Sequence, residues 1–167
     1  MLVALGASIA TSVPRSVLER NVDVAPGVLT ADAPSMSRRF RLTTSLPYPS
    51  LDATVTLAFA TVGPNRTTPE VPLRIKLAAI GAKDIEPVVV DTIAKNAQAW
   101  SSPRESFFPC NDRPCEATFE LTVERLDRAA HPLPSSWLMI SGTFHGLASG
   151  HSEDPPRDDE FSVEPLP

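Results

Sequence analysis

Glycine is scarce in this chain: seven residues, scattered, with no GxGxxG or GxxxxGK[ST] run. Without such a loop there is no bare-backbone cradle for a nucleotide phosphate. The GxSxG turn that presents a serine nucleophile is missing as well. Histidine is limited to His131, His145 and His151, so a serine-dependent relay would have to be assembled within Ser136–His151, with no oxyanion motif beside it. A basic surplus is lacking: 15 Lys and Arg against 20 Asp and Glu leave a net charge of −5. That removes the counterion-release term on which nucleic-acid binders depend, and nucleic acid is not an expected partner. Arg38, Arg39 and Arg41, the one dense basic group, read as a solvated strand face. No apolar run approaches the ~20 residues of a membrane-spanning helix, so an integral membrane protein is not expected.

Proline, by contrast, is abundant. Its 18 residues are more than twice the average frequency of about 5%, and most fall between apolar runs: Pro47 and Pro49, Pro64 and Pro69, Pro87, Pro103 and Pro109, Pro132 and Pro134, Pro155 and Pro156. Proline breaks helix interiors and central strands alike. The chain is thereby cut into pieces too short for long helices, which suits an all-β fold.

The pieces alternate. In Leu51–Thr61, Leu51, Ala53, Val55, Leu57 and Phe59 take one face and Asp52, Thr54 and Thr56 the other. Val71–Ala79 sends Val71, Leu73, Ile75 and Leu77 inward and Arg74 and Lys76 outward. Cys115–Arg125 is the clearest, with Ala117, Phe119, Leu121 and Val123 opposed to Glu116, Thr118, Glu120, Thr122 and Glu124. A period of two is the mark of a strand with one wet face. Arg39–Thr43 and Ser136–Ala148 follow it less strictly. The second has Leu138, Ile140 and Phe144 on one face but Trp137 and Met139 on the other, as a central or covered strand would; Gly142 and Gly146 there suggest a bulge or a close backbone approach. Val22–Val24, Val88–Ile93 and Phe161–Val163 are weaker candidates. Ile93–Trp100 could instead form a short helix, and residues 11–36 read as an irregular lead-in. The expected architecture is an antiparallel two-sheet sandwich, immunoglobulin-like or similar, of about seven or eight strands.

Residues 1–12 form an apolar N-terminal segment ahead of a single sandwich domain over 13–167. Leu2–Ala10 ends in small residues suited to signal-peptidase cleavage before Thr11, although no Lys or Arg precedes it. An export signal or residual anchor is favoured over an edge strand, and peripheral membrane association through this end is an option. Cys110 and Cys115, alone and close together, suggest a disulfide of an oxidising compartment, periplasmic or secreted.

Several kinds of site chemistry are weighed and set aside. A zinc site joining Cys110 and Cys115 to His145 and His151 has acceptable spacing within each pair but a 29-residue gap between the pairs. Glu153, Asp154, Asp158, Asp159 and Glu160 lack the fixed spacing of a calcium loop. Glu116, Glu120 and Glu124 stand roughly 13 Å apart at successive steps along one strand, too far for a glycosidase pair at about 5–10 Å. Asn65-Arg66-Thr67 matches a glycosylation acceptor and reads only as an exposed loop. No catalytic residue, metal or cofactor is assigned.

What remains is recognition. Trp100, Phe107 and Phe108 sit in a Pro-rich connection, either plugging the sandwich end or facing a partner, and Trp137 and Met139 occupy the second face of their strand. These five are the candidate partner-binding residues. The expectation is a non-catalytic, extracytoplasmic interaction or structural accessory module with a protein partner, such as a subunit of an envelope or membrane-attached complex. The alternative is a small hydrolase or metal-dependent enzyme using His145 and His151.

Overall fold

Period-two patterning is realised as extended backbone along most of the chain. The computed structural model describes residues 15–63, 68–82, 85–107, 114–126, 136–151 and 154–167. Among them are ten strands: β1 (Arg15–Leu29), β2 (Ser35–Thr44), β3 (Ser50–Val62), β4 (Val71–Ile80), β5 (Val88–Ala94), β6 (Gln98–Ser101), β7 (Glu105–Phe107), β8 (Cys115–Arg125), β9 (Trp137–His151) and β10 (Phe161–Leu166). A 3-10 turn at Asp158–Glu160 is the one helical element among these residues, and no described helix is long and apolar enough to cross a membrane.

The strands form two antiparallel sheets. One, sheet A, runs β1-β9-β3-β6, with β7 also on β3; the other, sheet B, runs β10-β2-β8-β4-β5. Pairing is nested: β4 with β5, β3 with β6 and β7, β2 with β8, β1 with β9. One long hairpin is thus folded over itself, its two arms crossing together between the sheets. This is the arrangement of a jelly roll.

Between the sheets lies a single apolar core. Phe40 of β2 stacks on Phe144 of β9 with ring centroids 4.1 Å apart, and Phe119 of β8 tilts against the same ring at 6.3 Å. Leu42, Leu57, Leu73, Ile75, Leu77 and Leu121 are fully buried around them. The inward residues expected of β3, β4 and β8 are the ones found there. Arg125, buried at the end of β8, donates to the Ser136 carbonyl at 3.0 Å and to the Ser136 hydroxyl at 3.1 Å, fastening the start of β9.

The two-sheet antiparallel sandwich is therefore present, and its details refine the expectation. Its strand order is that of a jelly roll rather than an immunoglobulin domain, and its strands outnumber the expected seven or eight. Residues 93–100 are not helical: β5 ends, Lys95–Ala97 turns with Ala97 at φ 58°, and β6 begins in the other sheet. The lead-in over 11–36 contains the 15-residue β1. Finally, of the two readings of Gly142 and Gly146 the close backbone approach holds, since a Cβ at Gly142 would run into the Thr56 carbonyl oxygen; the bulge lies instead in β1, between Val24 and Gly27, and the β9 ladder against β3 is regular from Ser50↔Ser149 to Val62↔Trp137. Pro26 is accommodated because β1 is an edge strand and the bulge requires no N–H from it. Arg38 occupies the carbonyls freed there, donating to Ala25 and Pro26 at 3.2 Å each.

Candidate functional site

The outer faces of the two sheets differ in kind. On sheet B, Arg39 pairs with Glu120 at 2.9 Å, Arg41 with Glu164 at 3.4 Å and Glu116 at 4.0 Å, and Arg74 with Asp91 at 2.8 Å. Arg39 and Arg41, and Glu116 and Glu120, all read as wet strand faces, thus satisfy one another across the strands. Hydrogen bonding to Asp91 holds the Arg74 guanidinium above its ordinary pKa, and Arg74 in turn holds the Asp91 carboxyl below the usual carboxylate range.

Among the described residues, sheet A carries no such ladder. At one end of its outer face Met139 lies between Val28 and Ala60, and Trp137 lies beside Val62. Val28, Val62, Trp137 and Met139 are 48%, 41%, 51% and 46% exposed. Four large apolar side chains on three adjacent strands therefore form one patch. Exposed Val89 and Ile93 on sheet B are, in contrast, separated by Asp91 and its arginine.

Toward the other end of sheet A lies an open cleft of about 580 Å³. Its floor is built by cross-strand rows: Glu19, Leu147 and Asp52 in one, Asn21, His145 and Thr54 in the next. The wall comes from the junction of β6 and β7. Ser102 bridges that junction, donating its N–H to the Val55 carbonyl at 2.8 Å and accepting the Val55 N–H on its hydroxyl at 2.9 Å. Pro103 cannot continue the ladder, and the chain lifts Arg104 over β3.

Two polar groupings occupy the cleft. The His145 Nδ1 lies 2.6 Å from the Asn21 Oδ1, and Nε2 lies 3.4 Å from the Thr56 hydroxyl, itself 3.1 Å from Ser101. An amide oxygen only accepts, so Nδ1 donates to Asn21, which leaves Nε2 turned toward the Thr56 hydroxyl. The second grouping is Asp52, whose side chain is 6% exposed and whose one polar contact among the described residues is Arg104 at 3.9 Å. A carboxylate taken this far out of water ordinarily collects several donors.

The two histidines singled out in the sequence do not converge. His145 and His151 lie on one face of β9, six residues and thus about 20 Å apart. Among the described residues no three His, Cys, Asp or Glu side chains group as a metal site. Trp100 packs against the core at partial exposure, on the inward side opposite Leu57. Cys115 is buried at the start of β8. Cys110, Phe108, the Phe107 side chain, His131, Asn65 and residues 1–14 lie outside the described residues.

No family model matches this chain, and no curated protein matches it. Among solved structures, it is similar to one of infectious bursal disease virus, Gx strain, at 11% identity and a TM-score of 0.25, covering 99% of this chain and 47% of that one. A likeness of that size carries no argument about fold or function.

Sequence reasoning put Trp137 and Met139 on the outer face but missed Val28 and Val62, whose proximity depends on register. Asp52 it assigned to water. The signal for Asp52 was the Ser102-Pro103-Arg104 break in an edge strand, legible only once that strand is known to flank β3.

Proposed function

We propose that this protein is a non-catalytic, extracytoplasmic interaction module, an accessory component of an envelope or membrane-attached assembly. It would meet a protein partner through the apolar end of the sheet A outer face. The observation that carries this reading is the patch of Val28, Val62, Trp137 and Met139. A contiguous exposed group of this kind, on one face while the other is closed by ion pairs, fits the centre of a protein interface, where Trp and Met are enriched. The alternative enzyme using both His145 and His151 draws no support from two side chains about 20 Å apart on one strand.

Hydrogen exchange of the protein in native extract, compared with the purified chain, tests the partner role. Slower exchange over Gly27–Leu29 and Trp137–Ile140 in the extract is expected; identical exchange rejects it. An alkaline phosphatase fusion to the C-terminus tests the compartment. Abundant but inactive fusion protein rules out export.

A further inference from the structure

We propose that the cleft over Asp52 is a binding site for a neutral saccharide, independent of the apolar patch and of any partner seated there. The starting point is a mismatch of polar needs. Asp52 is an acceptor-only carboxylate, more than nine-tenths buried, with Arg104 at 3.9 Å as its sole polar contact among the described residues. It therefore presents unused acceptor capacity to the cleft. Arg104 is donor-only and 60% exposed, with no partner other than Asp52 among those residues, so it presents unused donors at the mouth.

A hydroxyl meets both needs at once, donating to the carboxylate and accepting from the guanidinium, and adjacent hydroxyls on one ring meet them in parallel. Other ligand classes satisfy one group and offend the other. A phosphate or carboxylate would suit Arg104 but would face Asp52 and Glu19, both acidic. A cation would suit the two carboxylates but would sit beneath the arginine. The remaining lining is amphoteric: the Thr56 and Ser101 hydroxyls and the His145 ring, oriented by Asn21. Leu147 lies between Glu19 and Asp52 and offers an apolar surface for the C–H face of a ring. The volume falls within the range of ligand sites, and its openness suits one residue of a longer chain.

Amide NMR spectra of the full chain, titrated with the methyl glycosides of glucose, galactose, mannose and N-acetylglucosamine, test this. Saturable shifts at Asp52–Thr56, Arg104 and His145–Leu147, with a dissociation constant in the millimolar range, are expected for at least one glycoside. Asp52→Asn and Arg104→Ala should each weaken that binding at least tenfold with the fold retained. Arg104 is exposed, so its variant decides the matter if the Asp52 variant fails to fold. No saturable shift with any of the four, unchanged binding in Arg104→Ala, or shifts produced instead by inorganic phosphate or methylammonium would overturn the proposal. A Trp137→Ser variant should bind the sugar as before, so loss of partner and loss of ligand are read separately.

Discussion

Glu105 is the acid that the fold treats worst. Its side chain points inward from β7 and is 2% exposed; Oε2 accepts the Val88 N–H at 3.2 Å, while Oε1 has no hydrogen-bond partner among the described residues. Burial raises its pKa, and the backbone donors of Val88 and Ala79 only partly offset that. The folded state therefore holds the proton more tightly than the unfolded chain. Its contribution to stability is complete below the ordinary carboxylate range and declines as pH rises from there through the raised value. Glu105→Gln keeps an acceptor and removes the titration. Urea unfolding of both proteins from pH 4 to pH 8 should show the variant gaining on the native chain as pH rises; a constant gap between them would contradict the assignment. The Arg74–Asp91 pair works in the opposite sense, losing its contribution as pH falls, and lying at the surface it contributes little. Glycines act at the same scale. A Cβ at Gly146 would lie 2.6 Å from the Val163 Cγ2 and 3.2 Å from the Phe161 Cζ, forcing β10 away from the core. Gly146→Ala should cost about 1–3 kcal/mol in urea unfolding, and a neutral result would mean that β10 moves freely.

Among the elements, the edge of β3 is where the fold departs from regularity and where the cleft arises. One uninterrupted strand there would bury the rows that β6 and β7 leave open. Ser102 holds the interruption together by giving the Val55 N–H a side-chain acceptor in place of a backbone carbonyl. Ser102→Ala strands that N–H and should cost about 1–3 kcal/mol, with faster amide exchange at Val55. Ser101→Ala, one residue away on an exposed side chain, should leave both quantities nearly unchanged; equal losses in the two variants would show that Ser102 holds nothing special. Legibility at this scale followed alternation. Cys115–Arg125 was read with its final bounds because every inward position is apolar until Arg125. Of β1 only the weak candidate Val22–Val24 is legible, because Ser16 and Arg20 fall on the inward side and Val17 on the outer one, which scrambles the period. Ala94, Lys95, Ala97, Gln98 and Ala99 have helix-tolerant side chains, but the two sheets required a crossing there, and tertiary pairing overrode local preference. Three-residue β7 is too short to carry any period.

The whole molecule is organised by pairing across distance. Arg15 lies opposite His151 and Ser35 opposite Glu124, whereas only β4 and β5, joined by a short connection, pair locally. Alternation tells which face a residue takes but not which strand it sits beside. The sandwich was therefore readable from one sequence, while its order was not, and with the order went the Val28–Met139 contact and the rows beneath Arg104. The same nesting makes a kinetic prediction. Each outer pair must close a longer loop than the pair inside it, and the entropy of that closure is lost before the contact forms. Folds dominated by such non-local pairing refold in milliseconds to seconds rather than microseconds. Stopped-flow dilution from urea, followed by tryptophan fluorescence, should give a main phase in that slower range. Because β1 joins β9 across the largest separation, Leu18→Ala in β1 should mainly speed unfolding, whereas Leu77→Ala in the local β4–β5 pair should slow refolding. The reverse assignment of these effects would show that folding begins at the termini, and that the nested order of the strands is not the order in which they assemble.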